Sequence, residues 1–313
     1  MSKVGAHLLI WTARVDESVI PILHKIKEMG FDGVEIPLMS PMEIEFKLVE
    51  KLRKELEKIN LECTCCGGLG KNENLIDEDE SIREKGKACL KKMIDLTHDF
   101  GTDSLDGVLY GTFEMSKGRA RTQGEWDLAV RILREMADYA KEKNVTLCLE
   151  VINRYETYFL NTAEDGVRLL KDIGKDNVKL HLDTYHMNIE EKDFYTPIVK
   201  SKGYLGYMHT CENDRGIPGT GHVNWDEVFK GLSEIGYDGW LVIESFPGPL
   251  KEIPIAASVW RKLADNIDDI PREGLKFIRE KMKQYGLHPV IRISSSVIGA
   301  QGWDRITPQE AQT

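Results

Sequence analysis

Eight short runs of β-branched or leucine-rich residues alternate with amphipathic stretches along most of the chain, and this alternation limits the possible folds more than any other feature. It is typical of strand–helix units arranged around a parallel sheet. Eight units in about 285 residues predict an α/β fold, a (β/α)8 barrel, because doubly wound sheets more often have about five or six strands. The predicted strands are Val4–Ile10, Gly33–Ile36, Leu61–Cys66, Ser104–Leu109, Thr146–Glu150, Val178–Asp183, Leu205–His209 and Trp240–Glu244.

The stretches between the predicted strands have the periodicity of amphipathic helices. One predicted helix face is formed by Trp225, Val228, Phe229, Leu232 and Ile235. A second is formed by Val19, Ile22, Leu23, Ile26 and Met29, with Gly30 as the expected helix end. Because no Pro/Gly/Ser-rich linker divides the chain, we predict a single catalytic domain over residues 1–285. Residues 286–313 lack the periodicity, which predicts a poorly ordered C-terminal extension outside the barrel.

The charge balance and the cysteines limit the partners and the compartment. The chain has 42 Lys and Arg against 52 Asp and Glu, a net charge of −10 that repels nucleic acid and anionic lipid. No run approaches the ~18 apolar residues of a membrane span, and the first residues lead into a strand rather than a signal peptide. The six cysteines are sparse, which is typical of reduced thiols. We therefore expect a cytoplasmic protein without nucleic-acid or membrane partners.

Polar residues end four consecutive predicted strands. The fifth, sixth, seventh and eighth strands end at Glu150, Asp183, His209 and Glu244. Active sites of such barrels lie at the carboxyl ends of the strands, so these side chains are predicted to converge on one metal ion. Three carboxylates and one imidazole, without a thiolate, favour an oxygen-preferring divalent ion such as Mn²⁺, Mg²⁺ or Co²⁺ over structural zinc.

Other polar residues lie near these strand ends. The predicted ligands carry −3 against the +2 of the ion, and Arg215, six residues after His209, could supply further positive charge. His181 lies one layer deeper, and we interpret it as a core histidine hydrogen-bonded inside the barrel rather than a fifth ligand. Glu35 ends the second strand, but nothing pairs with it in the sequence, so we predict a structural role. The segment Gly216–Gly221 lacks the Lys of a phosphate loop and predicts a turn.

Two segments resemble one enzyme family. The sequences Leu-Glu-Val-Ile-Asn-Arg-Tyr-Glu at 149–156 and Leu-Asp-Thr-Tyr-His-Met-Asn-Ile-Glu-Glu at 182–191 resemble the ketose 3-epimerases, which include D-tagatose and D-allulose (psicose) 3-epimerases. The order and spacing of further motifs also agree: His209 to Arg215, Pro218-Gly219-x-Gly221, Trp225-Asp226-Glu227, and Ile235-Gly236-Tyr237-Asp238-Gly239 to Glu244-Ser245-Phe246. The resemblance covers roughly residues 3 to 285.

The resemblance implies a xylose-isomerase-like TIM barrel that assembles as a homodimer or homotetramer. It also implies one Mn²⁺ or Co²⁺ ion held by the residues that match the family's ligands: Glu150, Asp183, His209 and Glu244. The two glutamates would double as the catalytic proton carriers. The residues that match those binding the O1 to O3 end of the sugar are Glu156, His186 and Arg215.

The chain departs from the family pattern at three places. The family commonly has an aromatic residue in place of His7, Met-Glu-Pro-Phe in place of Ile243-Glu244-Ser245-Phe246, and Gly-Glu-x-Asn-Arg in place of Cys211-Glu212-Asn213-Asp214-Arg215. These positions resemble those that flank the far end of the sugar. The preferred ketose is therefore left open by the sequence.

These observations predict a metal-dependent epimerase that inverts C3 of free ketoses of the D-tagatose, D-fructose, D-allulose or L-ribulose class. Glu150 and Glu244 would deprotonate and reprotonate C3 on opposite faces through a metal-bound cis-enediolate, which His186 and Arg215 would stabilise at O2. Three alternatives stay open: an aldose–ketose or hydroxypyruvate-type isomerase, a metal-dependent endonuclease of the same barrel superfamily, and a non-catalytic sugar-binding protein. Sugar phosphates are disfavoured because no phosphate loop is found.

Overall fold

Eight parallel strands close into one barrel in sequence order, with the last strand hydrogen-bonded to the first. The computed structural model describes residues 2–12, 14–112, 117–246, 259 and 261–287. The strands are β1 (Lys3–His7), β2 (Gly33–Pro37), β3 (Glu62–Leu69), β4 (Ser104–Thr112), β5 (Thr146–Glu150), β6 (Val178–Asp183), β7 (Leu205–His209) and β8 (Trp240–Ile243). The predicted single-domain (β/α)8 barrel is confirmed.

Helices follow the strands and cover the outside of the barrel. The helices in the described residues are α1 (Ile20–Met29), α2 (Phe46–Ile59), α3 (Glu80–Asp99), α4 (Gln123–Glu142), α5 (Ala163–Ile173), α6 (Thr184–Glu190), α7 (Tyr195–Lys200), α8 (Trp225–Ile235) and α9 (Asp269–Gln284). Gly30 ends α1 with φ 95°, as predicted, because glycine adopts this left-handed conformation without a steric cost. The predicted apolar face of α8 is also confirmed, since Trp225, Val228 and Phe229 are buried.

The first strand is shorter than the sequence suggested. β1 ends at His7, and Leu8–Ile10 forms a 3-10 turn instead of continuing the strand. The reason is local: Nδ1 of His7 accepts a hydrogen bond from the backbone N–H of Leu9 at 2.9 Å, which stabilises the 3-10 turn at its start. The prediction of strand over Leu8–Ile10 was wrong, and the turn leaves the His7 side chain inside the barrel mouth.

Inside the barrel, one layer below the strand ends, side chains from different strands pack together. Cys148, Tyr207 and Val242 form a buried cluster, and the hydroxyl of Thr64 lies 2.7 Å from that of Tyr207. His181 packs edge-on against Tyr207 with ring centroids 5.0 Å apart. His181 therefore lies one layer below the strand ends, as predicted, and this layer forms the floor of the polar site above it.

Two further predictions concern membrane-spanning segments and the C-terminal extension. No helix among the described residues combines the length and the apolar character needed to cross a bilayer. Of the predicted C-terminal extension, residues 288–313 lie outside the described residues. Gly286 and Leu287 follow Tyr285, the residue that caps α9, and Leu287 packs into the core.

Candidate active site

Four polar side chains lie at the carboxyl ends of neighbouring strands. Glu150, Asp183 and His209 are the last residues of β5, β6 and β7, and Glu244 directly follows β8. In the sheet Asp183 is paired with His209, which places these two side chains at the same depth. All four residues are buried, and Asp183 has no exposed surface. Regular strands thus carry three carboxylates and one imidazole to a single region at the barrel mouth.

The distances show how closely the four side chains converge. Nδ1 of His209 lies 3.3 Å from Oε2 of Glu244, 4.0 Å from Oε1 of Glu150 and 4.0 Å from Oδ2 of Asp183. This nitrogen is buried and has no hydrogen-bond partner of normal geometry among the described residues. One oxygen from each of the three carboxylates therefore lies within 4.0 Å of this nitrogen.

The arrangement fits a divalent cation. When each ligand lies about 2.1 Å from an octahedral ion, adjacent ligand atoms are about 3.0 Å apart and opposite ones about 4.2 Å. The separation of 3.3 Å from Nδ1 of His209 to Glu244 is close to the adjacent-ligand spacing, whereas Glu150 and Asp183 both lie at 4.0 Å, so a bound ion would draw at least one of these two oxygens closer. The donor atoms of Glu150, Asp183 and His209 also lie within 4.8 Å of one another. The donor set contains oxygen and nitrogen, which Mn²⁺, Co²⁺ and Mg²⁺ accept.

Arg215 enters the same region from the loop after β7. Its Nη1 lies 2.7 Å from Oδ2 of Asp183 and 2.6 Å from Oε2 of Glu244, and its guanidinium stacks 4.0 Å from the Tyr185 ring. The Arg215 backbone has φ 64°, a conformation that is costly for a residue with a side chain and is typical of functional sites. Ser245 stabilises it by donating a hydrogen bond from its hydroxyl to the Arg215 carbonyl at 2.6 Å.

His186 presents one ring nitrogen to the carboxylates. Its Nδ1 accepts a hydrogen bond from the backbone N–H of Asn153 at 3.1 Å, so we assign the proton to Nε2. Nε2 lies 3.7 Å from Oε1 of Glu150 and 3.9 Å from Oδ2 of Asp183. Burial lowers the pKa of His186, which keeps the ring neutral. His186 is therefore a neutral N–H donor that faces the candidate ligands.

Glu156 and His186 both contact the side chain of Asn153. The side-chain amide of Asn153 donates a hydrogen bond to Oε1 of Glu156 at 2.7 Å and also contacts Nδ1 of His186 at 2.8 Å. Asn153 is buried, whereas Glu156 is only half-buried at the barrel mouth. The structure thus brings all seven residues singled out from the sequence to one end of the barrel.

The pKa values of the two glutamates are displaced in opposite directions. Burial, together with the charges of Glu244 and Asp183, raises the pKa of Glu150 well above its usual range. Burial would also raise the pKa of Glu244, but His209 and Arg215 offset this effect and hold it well below that range. The two carboxyls thus occupy unlike electrostatic environments although they lie in one site.

A second group of polar side chains lies beneath the four candidate ligands. Both carboxylate oxygens of Glu35 lie 3.0–3.1 Å from Nε2 of His209, and Oδ1 of Asp106 lies 3.4 Å from Nδ1 of His181. His7 Nε2 lies 3.1 Å from the Cys66 sulfur. Sequence reasoning missed the contact of Glu35 with His209 and did not single out Asp106, although both residues face the barrel interior.

Comparisons with known proteins agree with this arrangement. The family model of the xylose isomerase-like TIM barrel matches residues 23–281. The chain is 34% identical to a ketose 3-epimerase of Arthrobacter globiformis over 90% of this chain and 96% of that protein. It is 31% identical to a D-psicose 3-epimerase of Agrobacterium fabrum over 88% of this chain and 98% of that protein.

A solved structure extends this similarity to three dimensions. The crystal structure of D-allulose 3-epimerase from Methylomonas sp. in complex with D-allulose superimposes with a TM-score of 0.85 at 31% identity, covering 89% of this chain and 96% of that one. High coverage in both directions shows that the similarity extends over the whole barrel rather than over one motif. The chain belongs to the ketose 3-epimerase family of carbohydrate isomerases, within the xylose isomerase-like TIM barrels.

Proposed function

We propose that this protein is a divalent-cation-dependent epimerase that inverts C3 of free ketoses of the D-tagatose, D-fructose, D-allulose or L-ribulose class. One observation carries the proposal: one oxygen from each of three buried carboxylates lies within 4.0 Å of Nδ1 of His209. The names of the similar proteins, which include ketose, L-ribulose and D-psicose 3-epimerases, support the substrate class.

The cation would be held by Glu150, Asp183, His209 and Glu244, and we propose Mn²⁺, with Co²⁺ or Mg²⁺ as the alternatives. When bound, it would act as a Lewis acid that polarises the C2 carbonyl of the ketose and acidifies the proton on C3. Charge balance supports a divalent ion, because Glu150, Asp183 and Glu244, when all are ionised, would leave a charge of −2 beside the Arg215 guanidinium in a buried site.

Proton transfer at C3 would be carried out by the two glutamates. Epimerisation requires one group to remove the C3 proton and another to return a proton on the opposite face. Glu150 and Glu244 reach the site from β5 and β8, which are not neighbouring strands. Their separation in the barrel supports an approach from two sides of the sugar, and their roles would exchange when the reaction reverses.

The remaining residues would orient the sugar and stabilise charge. His186 would donate the hydrogen on Nε2, and Arg215 would donate a guanidinium N–H, to the oxygen at C2 where negative charge develops. Glu156 would accept hydrogen bonds from the hydroxyl at C1, held in place by the Asn153 side chain. The sugar would thus be fixed at O1 and O2 while C3 lies between the two carboxyls.

The decisive experiment uses the Mn²⁺-loaded protein and a ketose panel in D₂O, with NMR to locate the deuterium. We expect deuterium at C3 in both the ketose and its C3 epimer, with Glu150→Gln and Glu244→Gln each abolishing epimerisation. Deuterium at C1 or C2 with an aldose product would instead identify an aldose–ketose isomerase. Sugar binding without exchange of any carbon-bound proton would contradict enzymatic activity.

We extend the proposal to a homodimer or homotetramer in the cytoplasm. Large apolar side chains on the described surface support association: Met42 is 67%, Phe46 60% and Tyr155 81% exposed. The six cysteines are free thiols, which supports a reducing compartment. Light scattering on the purified chain measures the assembly directly, and a monomer at micromolar concentration would contradict this part.

A further inference from the structure

Glu35 is a fully buried carboxylate that contacts a candidate metal ligand from below. It lies on β2 and has no exposed surface. Its Oε1 and Oε2 lie 3.1 Å and 3.0 Å from Nε2 of His209, which ends β7. Because β2 and β7 are not adjacent in the barrel, this contact crosses the barrel interior. It therefore has no part in holding neighbouring strands together.

The two nitrogens of the His209 ring face different groups. Nδ1 faces Glu150, Asp183 and Glu244 at 3.3–4.0 Å, whereas Nε2 faces Glu35. A carboxylate accepts hydrogen bonds only, so the proton in this contact belongs to Nε2. In the neutral ring with its proton on Nε2, the Nδ1 lone pair would be available to a cation that lies among the other three carboxylates. Glu35 lies on the opposite edge of the ring and so cannot share an ion with Nδ1.

A second histidine, His7, lies close to Glu35. Nε2 of His7 lies 3.4 Å from Oε2 of Glu35, and Nδ1 of His7 already accepts the N–H of Leu9, which places the His7 proton on Nε2. Nε2 of His7 also lies 3.1 Å from the Cys66 sulfur, which is its hydrogen-bond contact, so His7 is a close neighbour of Glu35 rather than a hydrogen-bond donor to it.

We propose that Glu35 is a positioning residue of the metal centre: it accepts the Nε2–H of His209 and so holds the ring with Nδ1 directed at the cation. The inference rests on the proposed function, because it requires His209 to be a cation ligand. Partners of this kind fix the tautomer and the orientation of a ligating histidine, and their loss typically weakens metal affinity about 10- to 100-fold. Glu35 would act through His209 and would not touch the sugar.

The test compares Mn²⁺ dissociation constants, measured by titration calorimetry, for the full-length wild type, Glu35→Gln and Glu35→Leu. Glu62→Gln is the matched control, because it removes a carboxylate from β3 at the opposite end of the barrel, where Glu62 pairs with Lys3. We expect about 10- to 100-fold weaker binding for Glu35→Gln, a larger loss for Glu35→Leu, and less than about twofold change for Glu62→Gln. At saturating Mn²⁺, Glu35→Gln should recover kcat to within about fivefold.

Unchanged Mn²⁺ affinity in Glu35→Gln would overturn the inference, even if the variant melts at a lower temperature. Failure of the wild type to bind Mn²⁺, Co²⁺ and Mg²⁺ would instead refute the proposed function. A second measurement needs no variant: NMR of ¹⁵N-histidine-labelled wild type with Mg²⁺ should show the His209 proton on Nε2. A proton on Nδ1 would overturn the inference.

Discussion

Nη1 of Arg215 lies 2.6 Å from Oε2 of Glu244, so the guanidinium contacts one of the two proposed proton carriers directly. The same nitrogen lies 2.7 Å from Oδ2 of Asp183. One cationic side chain therefore bridges two of the proposed metal ligands. This geometry is that of a charge-stabilising donor rather than of a residue that only binds the end of the sugar.

Arg215→Lys is expected to lower kcat about 100- to 1000-fold with little loss of Mn²⁺ affinity. Lysine retains the charge but cannot present two directed N–H groups, and loss of one such donor typically costs this much. Steady-state kinetics at saturating Mn²⁺ measure the effect. Arg154→Lys is the control, because Arg154 is an exposed arginine paired with Glu190. An equal loss of activity in both variants would contradict the assignment.

Glu156→Gln is expected to raise KM for the ketose about 10- to 100-fold and to change kcat less than about threefold. Loss of a charged hydrogen-bond acceptor weakens binding of the C1 hydroxyl equally in the ground state and the transition state. A 1-deoxy ketose provides the check, since it lacks that hydroxyl. Wild type and variant should have KM values within about twofold of each other for this substrate, and a difference as large as that for the parent ketose would refute the role.

Much of the site could be predicted because regular strands bring their last residues to one depth. Glu150, Asp183 and His209 are recognisable as strand ends in the sequence. Glu35 was expected to end its strand but lies in the middle of β2, and because its partner His209 is 174 residues away only the closed barrel brings them together. Asp106 lies within β4 two residues after Ser104, so it could be placed on the same face as Ser104, but the sequence carries no signal that it faces His181.

The close approach of β3 and β4 could not be predicted from the sequence either. Gly107 has φ 119°, and a Cβ atom at this position would lie 2.1 Å from the carbonyl oxygen of Gly67 on β3. Gly107→Ala is expected to lower the free energy of unfolding by about 3 kcal/mol or more, because backbone atoms must move to relieve the overlap. Urea denaturation monitored by circular dichroism measures the change.

Gly118→Ala is the matched control for this substitution. Gly118 also has a positive φ, 64°, but among the described residues no atom lies within 4 Å of an added Cβ. The backbone penalty alone should cost about 1–2 kcal/mol. Equal destabilisation of the two variants would show that the backbone conformation, rather than the approach to Gly67, accounts for the loss.

Glu125 is expected to make the stability of the barrel depend on pH. Its side chain is 5% exposed, and its carboxylate accepts hydrogen bonds from both Nη atoms of Arg119, the Thr122 N–H and the Tyr158 hydroxyl. Burial alone would raise the pKa of Glu125, but Arg119 and the other donors offset this and depress it strongly. A depressed folded-state pKa stabilises the protein above the unfolded value of about 4.3, and the contribution is lost as the pH falls further.

Glu125→Gln should therefore lower the free energy of unfolding by about 1–3 kcal/mol at pH 7, and the difference from wild type should shrink steadily below about pH 4. Urea denaturation at pH 7, 5 and 3.5 measures the trend. Glu142→Gln removes an exposed carboxylate at the end of the same helix, and we expect a change within about 0.5 kcal/mol at every pH. If the loss of stability in Glu125→Gln did not depend on pH, the charge of Glu125 would contribute nothing. The side chain would then stabilise the start of the helix only through its shape and neutral hydrogen bonds.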